Sequence, residues 1–246
     1  MYETQAAPQV FKGKVSATWE WERWNKYPEI EQSSKDLGKA AIYSTNLLAN
    51  GVFIRAYSTS YTSYGDALPL CSTVHTRPDG GSTQSNASST GITLTEANLE
   101  TAINALRGQL SGTGRLLAVG GGNLTIMVPF ALEKEAVIIT GSTKRSGIAD
   151  NDLNWYLGRV NVYVNPFIMA SISDLDGGAG SDTAWYLFEK GSHGLTFIWD
   201  KQPVYRSWED EDTDAMYTKV YFSAQTAWQG WYGFWGSKGD GASYSS

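Results

Sequence analysis

The stretch ALPLCSTVHT, residues 67–76, places the only cysteine, Cys71, four residues before His75, one of two histidines. A thiol and an imidazole within hydrogen-bond reach act as nucleophile and general base in many enzymes. Pro69 and the β-branched Val74 favour extended chain here, in which residues four apart lie ~13 Å from each other. We therefore predict scaffold rather than a catalytic pair. One cysteine and two histidines are also too few for a common structural zinc site.

Two further stretches carry residue types that bind cations. GGAGSDTAW, residues 177–185, matches the calcium-binding β-roll nonapeptide, but a β-roll needs several stacked copies and the sequence has one. We predict a surface turn. WEDEDTDAM, residues 208–216, lacks the spacing and central glycine of an EF-hand loop. It predicts a solvated bend, with electrostatic pairing to a partner subunit as a second interpretation.

Tryptophan is concentrated in two segments, WEWERW and WQGWYGFW. Such residues stack on sugar rings in carbohydrate-binding proteins, but they also bury large areas in cores and interfaces, and we favour packing. None of the patterns GxGxxG, GxxxxGK[ST] and GxSxG occurs. The sequence therefore predicts a protein that is not an enzyme and has no cofactor and no metal.

Length and composition indicate one large domain or two intimate ones, with 246 residues of which 41% are apolar and 18% charged. The net charge is −6, and no basic run is longer than Lys144-Arg145, which argues against sequence-specific nucleic-acid binding. A single cysteine excludes an internal disulfide and suits a reducing compartment. The first residues contain no apolar stretch typical of a secretion signal, and no run approaches membrane-spanning length. We expect a soluble cytoplasmic protein.

The elements that position these stretches follow from periodicity. Residues 10–24 alternate between apolar and polar and predict a strand with one charged face. Pro28 is suited to the first turn of a helix, and the spacing behind it predicts one long helix over 29–57. A helix of this length needs a partner surface along most of its course. Residues 58–92 predict a long segment with little regular structure.

The second half of the chain mixes short helices and strands. A capping box, Thr93-x-x-Glu96, begins a helix over 94–110. The other predicted elements are a helix at 129–140 and strands at 124–128, 159–164, 183–188, 195–199 and 217–229. The Gly- and Ser-rich tail is predicted to be irregular. This order indicates an α+β fold.

Several of these stretches, taken in order, resemble the major capsid proteins of tailed bacteriophages. Asp66–His75, DALPLCSTVH, is similar to the D-G-L-P-L-x-S-T-x-H motif that follows the long spine helix of that family, with Ala67 where glycine is common. KDLGKAAIYSTNLLANGVFIRAY resembles the end of the spine helix. The later matches are LTEANLETAINALR, LTIMVPFALEKEA, LGRVNVYVNPFI, DTAWYLFE and WEDEDTDAMYTKVYFSA. The resemblance spans about residues 10–235.

This resemblance implies an α+β capsid fold of Hong Kong 97 type with an extended loop, a spine helix, a peripheral domain and an axial domain. The implied division is an N-terminal segment and extended-loop strand (1–28), a peripheral domain (29–92 and 202–228) and an axial domain (93–201 and 229–246). The strand at 10–24 would be the returning arm of the extended loop, and the 58–92 segment would be ordered by neighbours. Because the family normally has more chain before this strand, we expect a processed or shortened form, or a minimal arm.

The implied function is self-assembly into the icosahedral shell of a phage head. The subunit would form hexamers and pentamers, enclose double-stranded DNA without sequence-specific binding, contact no membrane, and be assembled in the host cytoplasm into the virion capsid. Scaffold, portal and decoration proteins are its implied partners. Our candidates for subunit contacts are Trp19, Glu20, Trp21, Glu22, Arg23 and Trp24. The tryptophans would act as anchors, because Trp is enriched at hot spots, and the charges would set register.

Three alternatives remain at the level of the sequence. An encapsulin uses the same fold as the shell of a cellular compartment and encloses cargo protein. A Trp-rich carbohydrate-binding module would be a monomer that binds oligosaccharide. A hydrolase without a recognisable signature is the third.

Overall fold

The computed structural model describes residues 6–24, 26–62, 65–144 and 152–243. The helices are α1 (Trp19–Arg23), α2 (Tyr27–Ile54), α3 (Glu96–Arg107) and α4 (Glu133–Gly141). The strands are β1 (Gln9–Ala17), β2 (Leu124–Val128), β3 (Val160–Val164), β4 (Trp185–Glu189), β5 (Leu195–Asp210), β6 (Ala215–Trp228) and β7 (Phe234–Ser237). Short 3-10 turns occupy Phe130–Leu132 and Pro166–Ile168. The mixture of helix and sheet agrees with the predicted α+β class.

The chain folds into two compact units. Among the described residues, the larger unit holds 50–196 and 227–243, and the smaller unit holds 6–49 and 197–226. The boundaries fall within α2, β5 and β6, so each of these elements contributes residues to both units.

The smaller unit is a three-stranded sheet with the strand order β1-β6-β5, covered on one face by the first part of α2. β1 runs antiparallel to β6, with Phe11 opposite Phe222. The ring of Phe222 and the side chain of Val220 pack with Ala41 and Leu48 of the helix. Burying a ring such as Phe222 contributes roughly 1.5–3 kcal/mol, so this contact supplies the partner surface that the helix needs.

The predicted strand over 10–24 is correct only as far as Ala17. Ala17 lies opposite Met216, one residue after β6 begins. Beyond that point the partner strand ends, and backbone groups in a strand without a neighbour lose their hydrogen bonds. The chain instead forms the helical turn α1, in which the Trp24 amide donates to the Glu20 carbonyl. The pattern of WEWERW did not distinguish these two outcomes.

The larger unit contains a four-stranded sheet in the order β3-β2-β4-β7. β2 and β3 are parallel and are joined through α4, which supplies the crossover that parallel strands require. β4 pairs antiparallel with both β2 and β7. The largest cluster of buried side chains packs against this sheet and includes Leu99, Ile103, Leu106, Ile126, Leu187 and Trp185.

The segment over 58–92 has little regular structure, as predicted, but it does not depend on neighbouring subunits for all of its order. Leu70 and Asn86 are fully buried within their own chain. The Asn86 side-chain amide donates to the carbonyls of Leu70 and Trp231 at 2.7 and 3.2 Å. These hydrogen bonds fix the loop inside the larger unit, which corrects the expectation that neighbours order it.

Three element boundaries also differ from the predictions. The N-cap of α3 is Thr95 rather than Thr93, and its hydroxyl accepts from the Asn98 amide. β5 continues to Asp210, well past the predicted 195–199. The sequence did not indicate this length, because β5 is a largely exposed edge strand and lacks the alternation of apolar and polar residues that marks a half-buried strand. The tail predicted to be irregular contains β7, which is buried at all four positions.

Candidate functional site

Cys71 and His75 lie in the buried part of the larger unit and have separate partners. The His75 ring pairs through Nδ1 with Asp66 at 2.7 Å and lies within 3.2 Å of the Asn86 side-chain oxygen through Nε2. It also stacks on the Trp231 ring, with 4.7 Å between centroids. Burial raises the pKa of the Cys71 thiol far above its ordinary value. A thiol held in its protonated form is a poor nucleophile, so the burial of this cluster favours the scaffold role predicted from the sequence.

The β-roll-like stretch forms a turn closed by protein groups. The Asp174 carboxylate, just before it, accepts hydrogen bonds from the amides of Asp176 and Gly178 at 3.1 and 2.6 Å. The Arg55 guanidinium pairs with both Asp174 and Asp176, the latter at 2.6 Å. An arginine therefore neutralises these carboxylates, and across the described ranges no group of three or more His, Cys, Asp or Glu side chains is arranged to hold a metal.

The two tryptophan-rich segments differ in burial. In WQGWYGFW the rings of Trp228, Trp231 and Trp235 are 0%, 2% and 3% exposed, so they belong to the core rather than to a sugar-binding surface. In WEWERW, Trp19 and Trp24 are 45% and 66% exposed. Packing is confirmed as the role of the first segment, and the second presents aromatic area to the outside of its own unit.

The six predicted contact residues are gathered by α1 and the turn that follows it. The Arg23 guanidinium lies 5.7 Å from the Trp19 ring centre, and the Lys26 ammonium lies 5.7 Å from that of Trp21. A hydrogen bond from the Thr18 hydroxyl lowers the pKa of Glu20, which keeps this carboxylate ionised. The side chain of Glu22 lies outside the described residues. The helical turn replaces the two-faced ribbon expected from the sequence, so Trp19 and Trp21 do not share a strand face.

A second exposed aromatic surface was not predicted from the sequence. Leu153, Trp155 and Leu157 lie on the loop before β3 and are 85%, 48% and 46% exposed. The Trp155 ring lies 4.4 Å from the guanidinium of Arg159 and 5.5 Å from that of Arg107. A cavity of about 720 Å³ separates this loop from α3. The only signal in the sequence was the alternation of apolar residues in DLNWYLG, which is too short to interpret.

Both units thus leave large apolar side chains uncovered in a single copy. In the smaller unit the exposed group includes Val10, Trp19, Trp24, Ile42, Tyr205 and Trp208. In the larger unit it includes Leu116, Phe130, Val137, Leu153, Trp155 and Tyr163. Large exposed apolar groups mark interaction surfaces when they cluster, and both α1 and the loop at 152–158 carry such clusters.

The family is decided by a match that covers almost the entire chain: the model of the phage capsid protein family aligns with residues 2–236. The chain belongs to the phage capsid protein family. Its members build the protein shell of the virion, so this chain is a subunit of a capsid shell that is assembled from many copies. No helix within the described ranges is both long and apolar enough to cross a bilayer. No curated protein matches the chain at significance.

Solved phage capsids share the fold at low sequence identity. The capsid of Ralstonia phage GP4 is 13% identical, with a TM-score of 0.56 over 96% of this chain and 74% of the other. A protein in a solved structure of Mycobacterium phage Patience is 11% identical, with a TM-score of 0.56 over 98% of this chain and 72% of the other. The mature capsid of bacteriophage PhiM1 is 10% identical, with a TM-score of 0.56 over 95% and 71%.

Proposed function

We propose that this chain is the major capsid protein of a tailed bacteriophage, with a fold of Hong Kong 97 type. Hexamers and pentamers of it would form an icosahedral shell around double-stranded DNA. The helix α2 would be the spine of the peripheral domain, and the sheet of β2, β3 and β4 would form the axial domain. The family match over residues 2–236 carries this proposal.

The proposed role is mechanical rather than catalytic. Each subunit would contact its neighbours through unlike patches, and such heterologous contacts close into rings or shells when the rotation between subunits permits it. The net charge of −6 suits a container that holds DNA without gripping it. Scaffold, portal and decoration proteins would complete the head in the host cytoplasm.

Trp19 and Trp21 of α1 are the proposed anchors of one such contact, together with Glu20, Glu22, Arg23 and Trp24. We expect the double variant Trp19→Ala, Trp21→Ala to remain folded, since the rings are not part of the buried clusters, but to form few or no shells. Size-exclusion chromatography with negative-stain microscopy measures the particle fraction, and circular dichroism measures folding. The matched control is Trp19→Phe, Trp21→Phe, which keeps most of the aromatic area and should assemble.

Normal shells from the alanine variant would remove α1 from the contact. Wild-type protein that stays at 26.9 kDa under all conditions would contradict the shell itself. Particles that contain cargo protein instead of DNA would indicate an encapsulin-like compartment. A monomer whose tryptophan fluorescence shifts with oligosaccharide would indicate a carbohydrate-binding module, and turnover in a substrate screen would indicate a hydrolase.

A further inference from the structure

The face of the small sheet turned away from α2 concentrates positive charge. Along β1 the side chains alternate, so that Phe11 and Val15 face the helix while Lys12 and Lys14 are exposed on the opposite face. The same face carries basic and aromatic side chains from all three strands, here called the basic face: Lys12, Lys14, Lys201, Arg206, Trp208, Tyr217, Lys219 and Tyr221.

The cations of the basic face surround two tyrosine rings. Lys14 lies 4.2 Å from the ring centre of Tyr217, and Lys201 and Lys219 lie 4.7 and 5.1 Å from that of Tyr221. The hydrogen bond from Lys201, with the charges of Arg206 and Lys219, lowers the pKa of the Tyr221 hydroxyl. Lys201, Arg206 and Lys219 therefore lie close enough together to act on the same hydroxyl group, that of Tyr221.

The sheet places like charges directly opposite each other. Lys14 of β1 is the cross-strand partner of Lys219 in β6, and Lys12 is the partner of Tyr221. Like charges opposite one another destabilise a sheet. Over the described part of the chain, none of the five basic side chains is within salt-bridge distance of a carboxylate. In a protein of net charge −6, the basic face is a local excess that its own chain leaves uncompensated.

An excess of negative charge lies at the end of the hairpin that β5 and β6 form. The end of β5 and the turn that follows it carry Glu209, Asp210, Glu211, Asp212 and Asp214, here called the acidic tip. The turn is closed internally, because Thr213 donates to the Asp210 carbonyl at 3.3 Å and to its carboxylate at 2.7 Å. Within the described ranges, no carboxylate of the acidic tip forms a salt bridge.

We propose that the acidic tip of one copy docks on the basic face of a second copy. The two patches carry five charges each of opposite sign, and both belong to the small three-stranded sheet, so every copy gives one contact and receives another. This is a heterologous contact of the kind that closes into rings. Nucleic acid is the other polyanion that fits lysines and tyrosines, but an acidic patch of matching size on the same small unit favours a second copy of this chain as the occupant. The docking rests on the proposed shell function and specifies one of its contacts.

A charge swap tests this docking. Reversing two charges on the basic face (Lys14→Glu, Lys219→Glu) or two on the acidic tip (Glu211→Lys, Asp212→Lys) should each lower the fraction of subunits in particles about tenfold or more, because every contact in a multivalent shell is affected. Combining both reversals in one chain should restore assembly, since every reversed tip then meets a reversed face on the next copy. Lys134→Glu, Lys190→Glu is the control, because it changes the net charge equally at exposed lysines of the larger unit and should assemble normally.

The contact itself is read out by cross-linking. An Asp212→Cys variant, coupled through a short maleimide–succinimide linker, is mixed with heavy-isotope-labelled wild type. Conjugates that join a light tip peptide to a heavy peptide containing Lys12, Lys14, Lys201 or Lys219 would support the docking. Conjugates within one chain only, or normal particle yields from both reversed proteins, would overturn it.

Two further outcomes separate the explanations. Normal but DNA-free shells from the face variant would assign the basic face to nucleic acid and overturn the docking. The absence of particles from the wild type would overturn the proposed function, whereas wild-type particles without tip-to-face conjugates would overturn the docking alone.

Raising the salt from 0.1 to 1 M shortens the screening length from about 10 to about 3 Å, and should release a contact that depends on charge.

Discussion

The segments WEWERW and WQGWYGFW each contain three tryptophans but differ sharply in how far those rings are exposed. Trp24 is 66% exposed on the turn after α1, whereas Trp228 is fully buried at the end of β6. What separates them is the availability of a partner surface: β1 has no strand left to pair with after Ala17, while Trp228 ends a strand that enters the larger core. A high tryptophan content therefore indicates that large apolar areas will be buried. The neighbouring elements of the fold decide whether they are buried within the same chain or against another molecule.

The largest expected effect is on the buried side of this comparison. Trp228→Ala should lower the free energy of unfolding by about 3–5 kcal/mol, since it empties a fully enclosed site that packs against Tyr61. Trp24→Ala is the matched control and should change it by less than about 0.5 kcal/mol. Urea denaturation of both variants measures the difference. Equal losses would mean that the two segments are not distinguished by burial.

A smaller effect is expected where β7 approaches the loop at 58–92. A Cβ on Gly236 would lie 2.7 Å from the Cys71 sulfur and 2.8 Å from the Tyr57 hydroxyl. Gly236→Ala should therefore cost about 1–3 kcal/mol through overpacking. Gly121→Ala, which has open space around its Cβ, is the control and should cost little. Thermal unfolding measures both, and an unchanged melting temperature for Gly236→Ala would show that this contact relaxes freely.

The pH dependence of stability provides the mildest test. The pKa of Cys71 is raised by burial, so the unfolded chain loses this proton at a lower pH than the folded chain does. The stabilisation is complete below the unfolded pKa, near 9, and is then lost as the pH rises, by about 1.4 kcal/mol per unit. Cys71→Ala should flatten this alkaline slope in urea titrations above pH 9. An identical slope in the variant would mean that the thiol is not protected by the core.

The sequence predicted best where a pattern was long or a residue type had one use. The spacing of apolar residues predicted α2 to within three residues at each end, and the prediction of a scaffold role for Cys71 and His75 agrees with the burial of both side chains. It failed where partners decide the outcome. Nothing local shows that β6 begins only one residue before the partner of Ala17, that β5 continues as an edge strand, or that residues 234–237 form a strand of the larger sheet. The basic face was also invisible in the sequence, because its cations come from three strands that only the sheet brings together.

Because the single thiol is buried, its reaction with an alkylating reagent reports whether a given subunit has opened. A membrane-permeant alkylating pulse would leave Cys71 untouched in every folded copy and mark it once in every copy that has opened. Counting marked chains by mass would then give the fraction of opened subunits in an intact particle, without any engineered label.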